Sequence, residues 1–254
     1  MAKKVIRKKV LMGTDEFVVS RSRVFRCLSE NFKIVVIISS VIGVLFISYI
    51  GWSVYSSQRN QKAGEALYSA MKVYQAKIDT TGVSPDTFKT EEEKYRAVIN
   101  KFEGLSKKYK RLDIGSIALL YAANAHYSLK EYDKAIELYG QLLSGEVKDP
   151  NLHGNIAAYQ LNPGILRDSA LYGMAYSYEQ KGDVKRAIDS LLFLTSTKDT
   201  HLGETAIMTL GRLYEKSSDK AKALETYQKI ISDYPESSNI PMIKEKVERL
   251  TDSK

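Results

Sequence analysis

The sequence predicts an all-α protein in which one N-terminal transmembrane helix is followed by an α-solenoid of about three to four helical hairpins and a capping helix. Two observations lead to this prediction. Residues 34–57 carry no charge, and one helical pattern recurs three times in the chain behind them. The composition agrees, because 44% hydrophobic and 27% charged residues are ordinary for a folded chain, and five prolines in 254 residues leave room for long helices.

The positive charge is concentrated at the N-terminus. The whole chain has a formal net charge of +8, and residues 1–33 hold nine lysines and arginines against three acidic residues. The 197 residues after position 57 are close to neutral, with 29 basic and 27 acidic groups. A near-neutral body does not favour broad electrostatic binding of nucleic acid. We therefore predict a basic tail over 1–33 and no specific nucleic-acid partner.

The uncharged stretch predicts a transmembrane helix over 34–57. Crossing the hydrocarbon layer takes about 20 mostly apolar residues at about 1.5 Å each. Tyr49, Trp52 and Tyr55 lie where an aromatic interface belt falls. A buried core helix is the alternative, but such helices are usually shorter and carry a polar stripe. No small-x-small cleavage motif follows the apolar run, which favours an uncleaved anchor over a signal peptide.

Basic residues on the N-terminal side predict the orientation. Four lysines or arginines lie in the fifteen residues before the span and three in the fifteen residues after position 57. The clusters Lys3–Lys4 and Arg7–Lys9 add to the first side, so the tail is expected in the cytoplasm. The tail itself has two readings that stay open: an amphipathic helix on anionic lipid, or an orientation signal alone.

Three segments of the body share one internal pattern. In each, a bulky residue is followed four positions later by a small one, and three positions later by His or Tyr. Small residues allow two antiparallel helices to approach closely. The small residue precedes an alanine of the second helix by twelve positions in every copy: Ala123 and Ala135, Ala175 and Ala187, Gly211 and Ala223. This is the pattern of the tetratricopeptide repeat, a helix–turn–helix unit of about 34 residues.

The pattern places the repeats near 115–143, 167–197 and 203–235, with a capping helix at 240–250. The first and second copies are further apart than one unit. The excess falls in 144–165, predicted as a loop with a helical turn at 155–160. Upstream, Glu91–Glu93 mark a helix N-terminus, and 91–110 resembles the second helix of an incomplete unit. The predicted organisation is therefore a juxtamembrane helix and connector over 58–90 and a repeat domain over 91–254.

Stacked hairpins present a groove lined by the first helix of each unit, and this groove is the candidate protein-binding site. Tyrosine offers apolar area together with a hydroxyl, which suits an extended peptide or a partner helix. The periodicity assigns seven residues to the groove: Asn124, Tyr127, Tyr172, Tyr176, Glu179, Arg212 and Glu215. Because the chain contains seventeen tyrosines, ordinary packing is the alternative role for each of those in the set.

The sequence carries no motif for nucleotide binding, metalloprotease or hydrolase chemistry, or EF-hand calcium binding. A single cysteine and three scattered histidines do not favour a metal centre. We therefore expect no enzymatic activity, no catalytic residues and no cofactor or metal.

Residues around the predicted span also resemble a known family. Glu30-Asn31 precedes the span, Gly51-Trp52-x2-Tyr55 and Gln58 follow, and Ala66-x-Tyr68-x-Ala70 leads into the repeats. This layout resembles the YfgM-like ancillary subunits of the bacterial SecYEG translocon. The resemblance implies a single-pass inner-membrane protein with a cytoplasmic N-terminus and a periplasmic repeat domain. It also implies association with the translocon and with a membrane-anchored periplasmic chaperone.

An alternative is a structural scaffold subunit of another envelope complex. In that case the groove would hold a fixed partner or a second copy of the chain, giving a homo-oligomer.

Overall fold

The computed structural model describes residues 31–80, 87–110, 112–144, 163–196 and 200–252. These ranges contain nine α-helices and no strand, which confirms the all-α prediction. The helices are α1 Phe32–Gln75, α2 Glu91–Lys108, α3 Asp113–Ser128, α4 Tyr132–Leu143, α5 Pro163–Gln180, α6 Val184–Thr195, α7 Gly203–Lys216, α8 Lys220–Asp233 and α9 Ile240–Asp252. The predictions for the basic tail before residue 31 and for the helical turn at 155–160 lie outside the described residues.

The chain divides into two compact units, 1–59 and 60–254. The described part of the first unit is the N-terminal section of α1, whose apolar side chains, including Phe46, Ile47 and Trp52, are exposed. This section is long and apolar enough to cross a membrane, and its most apolar 18-residue stretch is not buried in the protein. By length and composition it is a candidate membrane span.

The second unit begins inside α1. Ala63, Leu67 and Ala70 recur at helical spacing and are fully buried, and the Tyr74 ring lies 6.5 Å from the ring of Phe102 in α2. The end of α1 and α2 therefore share one core and form a first hairpin. The compact unit thus includes residues that the sequence analysis assigned to a juxtamembrane connector over 58–90. Helix α1 continues without a break from the apolar run into the hairpin, so no feature of the sequence indicates where the second unit begins.

Helix α2 begins where its three glutamates predict. The Thr90 hydroxyl accepts a hydrogen bond from the Glu93 amide at 3.1 Å, and the Glu93 carboxylate accepts one from the Lys89 amide at 3.1 Å. Lysines at the other end complement the helix dipole. Val98, Phe102 and Leu105 recur at helical spacing along α2 and are all buried.

The other seven helices form the pairs α3/α4, α5/α6 and α7/α8 and the closing helix α9. Each turn between paired helices holds one residue at positive φ, five positions before the second-helix alanine: Lys130, Gly182 and Ser218. In the second and third turns the next residue, Asp183 or Asp219, accepts a hydrogen bond from the amide three positions on. One repeated turn geometry therefore sets the angle of all three hairpins.

Two tyrosines of the second helices pack directly against glycines of the first helices. Tyr139 of α4 covers Gly173 of α5, and Tyr227 of α8 covers Gly211 of α7. Both rings are almost completely buried. A Cβ at Gly211 would lie 2.6 Å from Cε1 of Tyr227, and a Cβ at Gly173 would collide with Cζ of Tyr139. The helices can approach this closely only because these two positions lack a side chain.

Gly173→Ala and Gly211→Ala are each expected to lower the free energy of unfolding by about 1–3 kcal/mol, because the added methyl group overpacks a fixed ring. Gly104→Ala in α2 is the matched control, since nothing lies within 4 Å of its Cβ position. The control should gain about 0.5–1 kcal/mol from helix propensity. Urea denaturation of the three variants measures these changes. Equal behaviour of all three would contradict the packing role of the two glycines.

Candidate functional site

The candidate site lies on the first helices α3, α5 and α7. Helix α3 contacts α5 directly, and side chains connect α5 with α7. The Tyr172 hydroxyl lies 3.0 Å from the Tyr176 hydroxyl and 3.2 Å from the Thr209 hydroxyl of α7. The two tyrosine rings are 4.8 Å apart and nearly perpendicular. Burial, together with the hydrogen bond to Tyr176, raises the pKa of Tyr172 to about 12, so the Tyr172 phenol is neutral at pH 7.

One turn further along α5, Glu179 forms the strongest polar contact of the site. Arg212 of α7 donates two parallel hydrogen bonds to the Glu179 carboxylate, at 2.6 and 2.7 Å, and Lys216 donates a third at 3.1 Å. The Glu179 side chain is only 7% exposed. The hydrogen bond from Arg212 holds the pKa of Glu179 below its usual value, against the opposing effect of burial. This ion pair fixes the position of α7 against α5.

Tyr127 of α3 extends the site to the preceding hairpin. Its ring lies 5.6 Å from the ring of Tyr132. Burial, then Tyr132, Tyr176 and Glu179, raise the pKa of Tyr127. The helix that carries Tyr127 also packs against α5, which carries Tyr176 and Glu179. The structure therefore brings together five of the seven predicted residues. We call this surface the tyrosine face: Tyr127, Tyr172, Tyr176, Glu179 and Arg212.

Asn124 and Glu215 belong to other contacts. The Asn124 amide oxygen accepts a hydrogen bond of 2.6 Å from Tyr139 of α4, so it holds the ring that covers Gly173. Glu215 accepts hydrogen bonds from Tyr227, from Lys246 at 2.6 Å and from Arg249 at 2.9 Å. It therefore ties α7 to α8 and to the capping helix α9. These two side chains connect helices next to the tyrosine face.

Sequence reasoning missed four residues that complete these contacts: Thr209, Lys216, Lys246 and Arg249. Lys216 lies one turn after Arg212, so both residues lie on one side of α7. This spacing could have identified Lys216 from the sequence. Lys246 and Arg249 lie in a helix predicted only as a cap. Nothing in the sequence around a capping helix indicates that its basic side chains will contact the surface of the preceding repeat.

A second polar cluster joins α2 to α3. The buried His126 imidazole contacts Glu131 through Nδ1 at 2.6 Å and Glu103 through Nε2 at 3.2 Å. Arg96 also reaches Glu131, at 2.6 Å. Burial alone would raise the pKa values of Glu103 and Glu131, but hydrogen bonds from His126 and from Lys107 or Arg96 outweigh it and lower both. These contacts give the buried imidazole of His126 its hydrogen-bond partners. His126 occupies a repeat position at which the other two copies have tyrosine.

Among the residues that the structure describes, no group of three or more His, Cys, Asp or Glu side chains is arranged to hold a metal ion. The tyrosine face offers hydroxyls, one guanidinium and aromatic surface. It can therefore contact a protein segment through apolar area and hydrogen bonds.

Glu179→Gln tests the electrostatics of the face. A lowered pKa stabilises the folded state above the unfolded value of 4.5, and this stabilisation is lost as the pH falls through the folded value. At pH 7 we expect Glu179→Gln to cost about 1–3 kcal/mol. The difference from the unmodified protein should be smaller in acid, at a pH below the folded-state pKa, where the carboxyl of both states is protonated. Urea denaturation at both pH values measures it.

Glu137→Gln on the exposed surface of α4 is the control and should leave stability unchanged at either pH. A Glu179→Gln defect of the same size at both pH values would show that the carboxylate charge contributes nothing.

Comparisons with known proteins agree with this geometry. A family model described as a tetratricopeptide repeat-like domain matches residues 28–163. A second model, described as a tetratricopeptide repeat, matches residues 169–192 and 205–237. The second match covers most of the hairpins α5/α6 and α7/α8, while the first covers the candidate span and the hairpins before them.

Solved structures include a similar fold. A crystal structure of a tetratricopeptide repeat protein from Parabacteroides merdae ATCC 43184 has a TM-score of 0.51 and 14% sequence identity. The match covers 76% of this chain and 61% of that chain. At this identity the likeness concerns the fold alone. No curated protein matches the chain.

Proposed function

The chain belongs to the tetratricopeptide repeat-like family, and on that premise we propose that it is a membrane-anchored adaptor that binds protein partners through the tyrosine face. Repeats of this family indicate a protein–protein interaction adaptor, and the fold is typical of a non-catalytic scaffold. The proposal adds the place of binding, the anchor and the setting.

The convergence of Tyr127, Tyr172 and Tyr176 supports the place of binding. These rings come from two different hairpins, yet none is fully buried. A tyrosine that served packing alone would be buried as Tyr139 and Tyr227 are. Half-buried tyrosines held in place by their neighbours offer a partner apolar area at low entropic cost.

The first section of α1 supports a membrane anchor. Its apolar side chains are exposed along its length, and exposed surface of this size is unfavourable in water. The basic residues before position 34 favour a cytoplasmic N-terminus. Together with the resemblance to YfgM-like subunits, these features support our proposal of an adaptor in the bacterial inner membrane, with its repeats in the periplasm near the SecYEG translocon and a membrane-anchored chaperone.

Site-specific photocrosslinking in whole cells tests this proposal. A photoreactive phenylalanine analogue replaces Tyr176 in the full-length chain, and the same analogue replaces the exposed Lys185 of α6 as a control. We expect crosslinks from position 176 to translocon subunits, chaperones or newly exported chains, and few from position 185. One dominant partner outside the secretion machinery would instead favour a scaffold subunit of another envelope complex. Digestion of the repeats by protease added to spheroplasts reports their side of the membrane.

Two neighbouring substitutions separate binding from packing. Tyr176→Ala removes one ring contact and should lower the free energy of unfolding by about 1 kcal/mol. It should also reduce the amount of partner protein recovered by affinity capture several-fold. Ala175→Trp should unfold the second repeat, because Ala175 is buried at the crossing of α5 with its neighbours. Thermal denaturation and affinity capture from detergent-solubilised cells measure both effects. If Tyr176→Ala unfolded the domain, Tyr176 would be a core residue.

A further inference from the structure

The charged side chains beside the tyrosine face fall into two groups of three. Glu179 binds Arg212 and Lys216, and Glu215 binds Lys246 and Arg249. Each group has one carboxylate and two cations, so each carries one positive charge in excess. The two groups are adjacent, because Lys216 of the first and Glu215 of the second are consecutive residues of α7. Since Glu215 also pairs with Lys246 and Arg249, the two groups together extend across α7 and α9.

Within this surface the two carboxylates are less exposed than three of the four cations. The side chains of Glu179 and Glu215 are 7% and 21% exposed, whereas those of Arg212, Lys216 and Arg249 are 44%, 50% and 62% exposed. Lys246 is 26% exposed. Glu179 already accepts three hydrogen bonds and Glu215 accepts three. The exposed guanidinium and ammonium groups retain N–H donors beyond those they spend on the two carboxylates. A partner therefore meets positive charge and hydrogen-bond donors.

The carboxylate that Lys246 and Arg249 contact is Glu215 of α7. Among the described residues, Glu245 and Glu248 of α9 form no ion pair with either of these cations. On α5, Lys181 pairs with Asp133. We call the four cations of the two groups, Arg212, Lys216, Lys246 and Arg249, the cation cluster.

From this arrangement we infer that the partner segment is acidic: an extended peptide whose apolar side chains contact the tyrosine face and whose aspartates or glutamates contact the cation cluster. This inference rests on the proposed function and names the chemistry of its partner. Carboxylates match the planar donors of arginine. The near-neutral body as a whole favours a peptide over nucleic acid, which requires a much more extensive basic surface.

The test uses full-length protein in a neutral detergent and three fluorescent peptides of equal length. In the first peptide Leu and Tyr alternate with Glu, and in the others Gln or Lys replaces every Glu. We expect the Glu peptide to bind about tenfold or more tightly than the Gln peptide, and the Lys peptide not to bind. Fluorescence anisotropy measures the affinities, and added NaCl should weaken the Glu peptide selectively.

Charge reversal locates the site. The double variant Lys216→Glu/Arg249→Glu should weaken the Glu peptide about tenfold or more and leave the Gln peptide unchanged. Lys185→Glu/Lys229→Glu makes the same change of charge on exposed lysines of the second helices and should have little effect. Near-native circular dichroism and thermal unfolding of both double variants establish that they are folded.

Equal affinities for the Glu and Gln peptides, no binding of the Glu peptide, or equal losses in the two double variants would overturn the inference. A DNA oligonucleotide of matched charge that displaced the Glu peptide at lower concentration would also overturn it. If these results appeared while position 176 still crosslinked partners in cells, the proposed function would stand and only the acidic partner would be wrong.

Discussion

The close approach of neighbouring helices at residues with little or no side chain is the constraint on which the structure depends. Tyr139 and Tyr227 occupy space that exists only because Gly173 and Gly211 have no Cβ. Dense packing of this kind tolerates little change in volume. It also fixes how far each first helix can rotate about its axis, and so decides which residues remain on the surface. The position of the tyrosine face is thus a consequence of where the small residues lie.

Hydrogen bonds from the same tyrosines connect the core to the polar surface. Tyr139 donates to Asn124 and Tyr227 donates to Glu215, and both phenols have a pKa raised chiefly by burial. A buried hydroxyl requires a partner, because an unsatisfied one carries the full cost of desolvation. Asn124 and Glu215 supply these partners. Asn124 and Glu215 have the helical spacing expected of groove residues. Their hydrogen bonds to the two buried tyrosines explain that spacing as well as contact with a ligand would.

The hairpins could be predicted because three copies keep the same twelve-residue offset between small residues, a signal that tertiary packing imposes directly on sequence. The hairpin formed by α1 and α2 was not recognised in full, since Ala63, Leu67 and Ala70 continue a helix that begins as an apolar run. Within the candidate site, helical spacing identified the five residues of the tyrosine face. It did not separate them from Asn124 and Glu215, because spacing along one helix contains no information about which neighbour a polar atom contacts.

The charge of the cation cluster was also hidden from a simple count. The body holds 29 basic and 27 acidic residues, which suggests a neutral surface. A count treats a carboxylate at 7% exposure and an arginine at 44% exposure as equal, although a partner meets mainly the second. The buried carboxylates also hold the cations in place, so that less side-chain entropy is lost when a ligand binds. Because each contact is partly exposed to solvent, each contributes little by itself. Binding by such a surface is expected to be modest, reversible and sensitive to salt.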